Sequence, residues 1–418
     1  MPSSYRSRPR LAAGCAVVAL TATFAGPSWA DPAPAFEALL LQIGAAPATV
    51  EANALQDAAE ARVRQARVRP NPTLAVDVEN VFGSGPYKGS GSAETTLGFT
   101  QDLELWGRRT ARVGVARAEA GTASLRRDLA VVDAAGRLAL VYAEAEAADR
   151  RFRLAEEALS ITLDDTKAAF VLVEEGREPK VRAIQAESEA AAARAVLDEA
   201  QAERDAAFAR LTAVAMLPTT VTLIPVSLID KSPVTPAAVP DDRTPLVRVT
   251  EAERDAAARR IGVERIRALP DISASVGFRR YAADESTALT FGVSMPLPLF
   301  DRNRGNIEAS QAEFKAAGAR LMTARQDAQA DRNAATARLN ASASRVSASD
   351  AGVTAAQEAY RLSRIGFDAG RLSQLELRSS RTALISARNA AVDARLARVR
   401  AEIDLARLQG RAPFGAVQ

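Results

Sequence analysis

Histidine is missing from all 418 residues, cysteine occurs once, at Cys15, and aromatic side chains make up only 5% of the chain. These absences exclude a disulfide within the chain, thiolate or imidazole metal centres, and a histidine general base. Acids are missing from the first thirty positions, so Arg6, Arg8 and Arg10 account for the whole net charge of +3 and the remainder is close to neutral. That balance gives no electrostatic case for nucleic acid as a partner. Long apolar runs are missing too. Outside residues 11–24, no segment reaches the ~20 apolar residues of a spanning helix, so any crossing of a bilayer must be made by strands.

The start of the chain reads as a secretory signal over residues 1–30: arginines, an apolar segment over residues 11–24, then "SWA" before Asp31. "LAAGC", ending at Cys15, permits a lipidation reading instead, but most of the apolar run lies after it. If Cys15 leaves with the signal, the mature chain holds neither thiol nor imidazole.

What is present is alanine, arginine and repetition. Leu105-Trp106 matches Leu299-Phe300, Arg108 matches Arg302, Gly176-Arg177 matches Gly370-Arg371 and Leu211 matches Leu405, each at a spacing of 194. No insertion or deletion has entered the helical part of the unit. Pro72 and Pro270 are 198 apart, so the first copy carries four extra residues between that proline and the junction. The spacing predicts a first repeat over 31–216, an extended proline-punctuated linker over 217–245, a second repeat over 246–410 and a tail over 411–418.

Within each copy the hydrophobic period switches. After "VRPNP", Leu74, Val76, Val78 and Phe82 share one face; Leu97, Phe99 and Leu103 alternate with Thr96, Gly98, Thr100 and Asp102. The second copy repeats this with Ile272, Ala274, Val276 and Phe278, then Leu289, Phe291, Val293, Met295 and Leu297. The pattern predicts strand pairs over 72–103 and 271–298, with about ten residues per strand, enough to cross a bilayer at a tilt. A half-buried hairpin in a soluble sheet is the alternative that the strands alone leave open.

The helices bear on that choice. Proline is absent between Arg302 and Ile365, and such a stretch spans roughly 95 Å as a helix, wider than a globular core. Apolar or alanine positions recur every seven residues at Ile307, Phe314, Leu321, Ala328 and Ala335, then at Leu339, Val346, Val353, Tyr360 and Phe367. The two registers are offset by four residues, a stutter that unwinds a supercoil locally. Helical hairpins are expected over 107–214 and 301–409, reversing at "EEGREP" and "DAGRLS", with Asp301 placed to cap the second. "GPYKGS" over residues 85–90 lacks the spacing of a phosphate-binding loop and opens no helix. No catalytic, cofactor-binding or metal-binding residue emerges, and the chain reads as a non-enzyme.

Four strands cannot close a barrel, so a lone chain would leave open sheet edges in lipid, and the chain must oligomerise. The motifs "QARVRPNPTL", "VEN" at Val78, "LELWGRR", "LPDISASVGFR" and "MPLPLFDRNRGNI" occur in an order and at distances that resemble the TolC-type outer-membrane channels of tripartite efflux systems, in particular the cobalt-zinc-cadmium resistance branch. The resemblance covers nearly the whole mature chain. It implies a mainly α fold with a β-barrel part, namely a homotrimer in which each chain gives four strands to a shared outer-membrane barrel and two long helical hairpins to a shared periplasmic tunnel.

The same resemblance implies passive export, of divalent heavy-metal cations or alternatively of organic toxicants, together with a periplasmic adaptor (membrane fusion) protein and an inner-membrane RND pump. It places Trp106 and Phe300 at the membrane interface, with ordinary packing at a bend as the other reading. Gly176, Arg177, Gly370 and Arg371 fall at an adaptor-docking tip, where the glycines alone are explained by helix termination. Glu376, with Arg182 as its first-copy equivalent, falls at a periplasmic gate, either as a ring of carboxylates or in Glu376–Arg182 pairs. An adaptor-like coiled-coil protein is a further alternative, but it would carry one hairpin flanked by compact β-domains.

Overall fold

A computed structural model describes residues 31–231 and 244–414 of the chain. The expected signal segment with Cys15, residues 232–243 of the linker and residues 415–418 of the tail lie outside the described residues. The order is α1 (Phe36–Leu41), α2 (Pro47–Arg67), β1 (Thr73–Glu79), β2 (Glu94–Asp102), α3 (Arg108–Glu174), α4 (Lys180–Val214), α5 (Pro245–Arg267), β3 (Ser273–Tyr281), β4 (Thr287–Ser294), α6 (Arg304–Asp368) and α7 (Gln374–Leu408). The fold is mainly helical with one four-stranded sheet, two long helical hairpins and a two-fold internal repeat. No helix among the described residues is long and apolar enough to cross a membrane.

The sheet is antiparallel throughout, in the order β1-β2-β3-β4, so β2 and β3 join the two repeats and β1 and β4 are left as edges. Its register aligns the apolar positions of both copies. Leu74, Phe99, Val276 and Phe291 form one row across all four strands, and Val76, Leu97, Phe278 and Leu289 form the next. The alternate rows hold Ala75, Gly98, Gly277 and Thr290, then Asp77, Thr96, Arg279 and Ala288. One face is therefore apolar and the other small or polar, as period two requires, and side chains of the apolar rows stand exposed, Phe291 at 77%. At Gly277 a Cβ would lie 2.7 Å from the Leu97 carbonyl oxygen, so only glycine fits that pairing.

The strands are shorter than the alternation suggested. Phe82 lies beyond β1 at φ 56°, while Leu103, Ile272, Met295 and Leu297 flank the ladders. Alternation continues into the connecting segments, whose backbone leaves the sheet before the pattern stops.

Helix α3 has 67 residues and α6 has 65, while α4 and α7 have 35 each. At 1.5 Å per residue the longer ones run to roughly 100 Å. Nearest the sheet, α2 packs on α3, α3 on α5 and α5 on α6; towards the turns, α4 packs on α3, α3 on α7 and α7 on α6. Both layers are thus open arcs, one ending on α2 and α6 and the other on α4 and α6, just as the sheet ends on β1 and β4. The α6 seam explains the stutter. Leu321, Ala324 and Ala328 pack with Val247 of α5, whereas Ala335 and Leu339 pack with Ala401 and Leu405 of α7. The register shift falls where the partner helix changes.

The first half of the expected extended linker, residues 217–231, is docked on the helices. Tyr142 Oη donates to the Val226 carbonyl (2.9 Å), and the buried Glu146 carboxylate accepts from Leu228 N (2.7 Å) and Ile229 N (3.1 Å). Leu228 and Ile229 join Phe36, Leu138, Tyr142, Leu211 and Val399 in the main core, a collar around the middle of the bundle. Prolines set an extended path there, but the chain satisfies its backbone on α3 rather than in water.

At the level of the collar Glu402 of α7 is buried, its carboxylate oxygens lack hydrogen-bond partners, and Arg398 Nε is 3.6 Å away. Arg398 instead donates through Nη2 to the carbonyls of Ile229 (3.0 Å) and Lys231 (2.7 Å). Burial pushes the Glu402 carboxyl from its ordinary 4.5 up to about 7, against the pull of Arg398. A raised carboxyl favours the fold when protonated. Its contribution is complete below the unfolded value of 4.5 and is lost as pH rises through about 7. Glu402→Gln, which mimics the protonated form, should leave the thermal midpoint unchanged near pH ~4 and raise it near pH ~8, as measured by circular dichroism melts.

Candidate functional site

Both hairpins reverse by one geometry. Gly176 (φ 73°) and Gly370 (φ 68°) adopt left-handed backbone. In the first turn Gly176 N donates to Val173 O (3.1 Å) and Arg177 N to Leu172 O (2.9 Å); in the second Gly370 N donates to Phe367 O (2.9 Å) and Arg371 N to Gly366 O (2.8 Å). This paired arrangement satisfies the last carbonyls of a helix. No atom lies within 4 Å of a Cβ at either glycine, so the backbone sign, not space, demands glycine. Beside them Arg177 is exposed and 3.5 Å from Glu175, and Arg371 is exposed.

The returning helices start differently. Helix α7 opens with a capping box: Ser373 Oγ accepts from Glu376 N (3.4 Å) while Glu376 Oε2 accepts from Ser373 N (2.7 Å) and from its hydroxyl (2.9 Å). In the first copy Pro179 stands at the equivalent position and no side chain caps α4. Bonds from the Ser373 backbone and hydroxyl hold the Glu376 carboxyl below the usual carboxylate range. Arg182 pairs with Glu178 at 3.6 Å. Within one chain Glu376 and Arg182 are therefore not brought together, because each already has a partner at its own helix start.

A cluster that the sequence did not single out lies just above. Arg378 and Arg381 of α7 meet Glu189 of α4 and Asp165 of α3: Arg378 with Glu189, and Arg381 with Asp165 and, at 3.6 Å, Glu189. The Arg381 side chain is only 8% exposed. Burial raises the Asp165 carboxyl even beside Arg381. The available signal was a break in the repeat, since Ile184 and Glu187 occupy the first-copy positions of Arg378 and Arg381. Similar pairs run along the α3–α7 seam: Arg388–Glu157 (2.6 Å), Arg151–Asp393 (2.6 Å), Arg400–Glu144 (2.8 Å) and Arg407–Asp133 (2.8 Å). The α7 members Asp393, Arg400 and Arg407 lie seven apart, as a continuous helical seam requires.

At the other end, each hairpin meets the sheet. Trp106 (φ 64°) sits between β2 and α3, half exposed, with Nε1 donating to the Pro270 carbonyl (3.1 Å); Phe300, between β4 and α6, is 98% exposed. Arg108 bonds the Leu269 carbonyl and pairs with Asp271 at 2.9 Å, joining the copies. Asp301 does not cap α6. The helix starts at Arg304 behind Asn303 (φ 56°), and Asp301 Oδ1 accepts from Asn303 N (2.8 Å), closing a turn one step too early to reach the helix amides.

The model of the outer membrane efflux protein family matches residues 43–215 and 241–411, one segment for each structural repeat. The chain belongs to this family. Among curated relatives, the nickel-cobalt-cadmium resistance protein NccC of Alcaligenes xylosoxydans xylosoxydans is 37% identical over 331 residues, 79% of this chain and 74% of the relative. The nickel and cobalt resistance protein CnrC of Cupriavidus metallidurans is 39% identical over 330 residues, 78% and 77% of the two chains. Crystal structures of CusC match at a TM-score of 0.77 and 20% identity, covering 90% of this chain and 92% of that one, and the open state of the Neisseria gonorrhoeae MtrE channel matches at 0.76 and 21%, covering 91% and 89%. These structures share the fold. As an outer membrane efflux protein the chain sits in the outer membrane, with its helical part reaching into the periplasm. Ser373→Ala, which removes the α7 cap, should lower stability by about 1 kcal/mol and fray the start of α7 first, read by hydrogen exchange at Leu375 to Leu377.

Proposed function

We propose that the chain closes as a homotrimer into the passive exit duct of a tripartite export system, working with a periplasmic adaptor and an inner-membrane RND pump, and that its cargo is divalent heavy-metal cations. The observation that carries the assembly is the coincidence of open edges. The sheet ends at β1 and β4, and the helix arcs end on the α2/α4 side and on α6, so the same rotation of neighbouring copies supplies the missing partner in both layers. Three copies follow from the resemblance to TolC-type channels. The cargo is supported by the names of the relatives, which include the cobalt-zinc-cadmium resistance protein CzcC of Cupriavidus metallidurans, 30% identical over 285 residues, 64% of this chain and 65% of the relative. Deleting the gene should sensitise cells to nickel, cobalt, zinc or cadmium salts. Sensitisation only to organic toxicants would assign the duct a different cargo, and a detergent-stable monomer would refute the assembly.

In this reading Trp106 and Phe300 mark the periplasmic rim of the barrel, where amphipathic and aromatic side chains are favoured. Gly176, Arg177, Gly370 and Arg371 form the tip that receives the adaptor. The matching backbone geometry of the two turns supports equivalent docking at both, and the exposed arginines offer donors to carbonyls or carboxylates. With Arg177→Cys or Arg371→Cys in an otherwise cysteine-free mature chain, crosslinking should trap an adaptor complex; a folded channel that yields none at either position would overturn the docking.

Glu376 and Arg182 lie just past those turns and form the gate, with three Glu376 carboxylates approaching one axis. The capping box supports Glu376 staying ionised while gathered there, and a Glu376–Arg182 pair has to form across chains and in exchange for the Arg182–Glu178 contact. Glu376→Ala should reduce cation selectivity in single-channel recordings. Unchanged conductance, selectivity and response to divalent ions would remove Glu376 from the gate.

A further inference from the structure

The four helix ends that meet the sheet are unusually basic. Helices α2 and α5 end there with Arg64 and Arg67, and with Arg265 and Arg267, where cations complement the negative end of a helix dipole. Helices α3 and α6 begin there with Arg108, Arg109 and Arg304, without an acid in either first turn. Cations at a helix start oppose the dipole, so these arginines cannot be accounted for as helix stabilisers.

The four ends are also tied to one level. Arg109 Nε donates to the Arg67 carbonyl (2.7 Å), Arg112 to those of Ala66 (3.0 Å) and Val68 (3.0 Å), and Asn303 Nδ2 to that of Glu264 (2.8 Å). Carboxylates flanking this level are already engaged: Glu104 by Arg112, Asp271 by Arg108, Glu264 by Arg267 and Asn303, Asp102 by Ser273 and Asp301 by Asn303 N. Glu308 lies a turn deeper in α6 and makes no ion pair with Arg304 among the described residues. That leaves Arg64, Arg67, Arg69, Arg265, Arg302 and Arg304 exposed, with no side-chain partner among the described residues. Directly beside them stand the exposed apolar side chains Trp106, Leu297, Leu299 and Phe300. The far ends of the strands show no such excess, for Arg279 there lies between Glu79 (3.4 Å) and Glu94 (3.2 Å).

From this juxtaposition we infer that the arginine collar binds the phosphate groups of anionic phospholipid at the periplasmic rim of the barrel. The guanidinium fork matches phosphate oxygens in a bidentate way, and the neighbouring apolar side chains match the start of the acyl region. A free anion would need the cations but not the apolar border. The inference rests on the barrel placement of the strands and adds to it a preference among lipids.

Trp106 is the only tryptophan beyond residue 30, so it reports directly on the rim. The chain lacking residues 1–30, and with them Trp29, is reconstituted into vesicles containing brominated phosphatidylcholine or brominated phosphatidylglycerol, and quenching of Trp106 is compared. Quenching by both lipids, with severalfold preference for phosphatidylglycerol, is expected, since arginines near an anionic surface are attracted to it. The variant Arg64→Gln/Arg67→Gln/Arg302→Gln/Arg304→Gln should bring the preference to about one, while Arg320→Gln/Arg338→Gln, deep in the helical part, should keep it. If the fourfold variant does not assemble, Arg302→Gln and Arg304→Gln are measured singly, and each should lower the preference. Absence of quenching by either lipid would overturn the barrel placement itself. Equal quenching by both lipids in the wild type, or a preference that survives loss of the collar, would overturn the collar alone. Loss of the preference on adding inorganic phosphate at constant ionic strength would show a soluble-anion site instead.

Discussion

A peptide group in hydrocarbon has no water to bond, and the chain is arranged around that constraint. Its four strands satisfy one another only inwardly, and the outer edges of β1 and β4 remain as rows of unmet donors and acceptors. A soluble protein would blunt such edges with charge, proline or a covering helix. Here the flanking side chains on one face are leucine, valine and phenylalanine, which makes water as unsuitable as an unpaired state in lipid. The only arrangement that satisfies both backbone and side chains is closure with further copies. The helical layer has to end on the same sides as the sheet, because each strand runs directly into or out of a helix.

The helical part divides its contacts by chemistry. Within hairpins, alanine and leucine seams bring the axes close, as in the α6–α7 contact of Ala335 and Leu339 with Ala401 and Leu405. Between hairpins, the α3–α7 seam carries arginine–carboxylate pairs, many of them partly exposed. Each such pair contributes ~0–1 kcal/mol and weakens with salt. The join between hairpins thus combines the apolar collar at mid-height with ion pairs above and below it that water can replace one at a time. Near the tips, where the collar core no longer reaches, Arg381 is the most enclosed member of that join.

The architecture was legible because it rests on periods. Alternation at two, recurrence at seven and the fixed spacing of 194 each survive in a single sequence, and the offset at Ala335 and Leu339 even marked where α6 changes partner. Individual polar contacts were not legible. Asp301 looked like a cap because it precedes a helix, but Asn303 in left-handed backbone moved the start two residues on. The prolines of the linker showed its extended path but not that Glu146 and Tyr142, some eighty residues away, hold its backbone. Arg378 and Arg381 escaped notice since the repeat lacks them in its first copy, and comparing the copies emphasises what they share. Glu376 and Arg182 share a spacing of 194, but equivalence in a repeat says nothing about which local partner each side chain takes.

The equal depth of the two hairpins carries a consequence of its own. Helix α3 with α4, and α6 with α7, reach the same distance from the sheet, their lengths differing by two residues in the long arms and none in the short ones. A heptad added to both arms of one hairpin would carry its turn ~10 Å past the other and leave a ragged end. The tunnel can therefore lengthen or shorten only if both halves of the gene change together, in steps that keep the seam in phase. By contrast the loop between β1 and β2, over residues 80–93, is nine residues longer than the loop over 282–286 between β3 and β4 and has no such partner to match. Length is therefore tied as a pair in the helical part and untied in that loop.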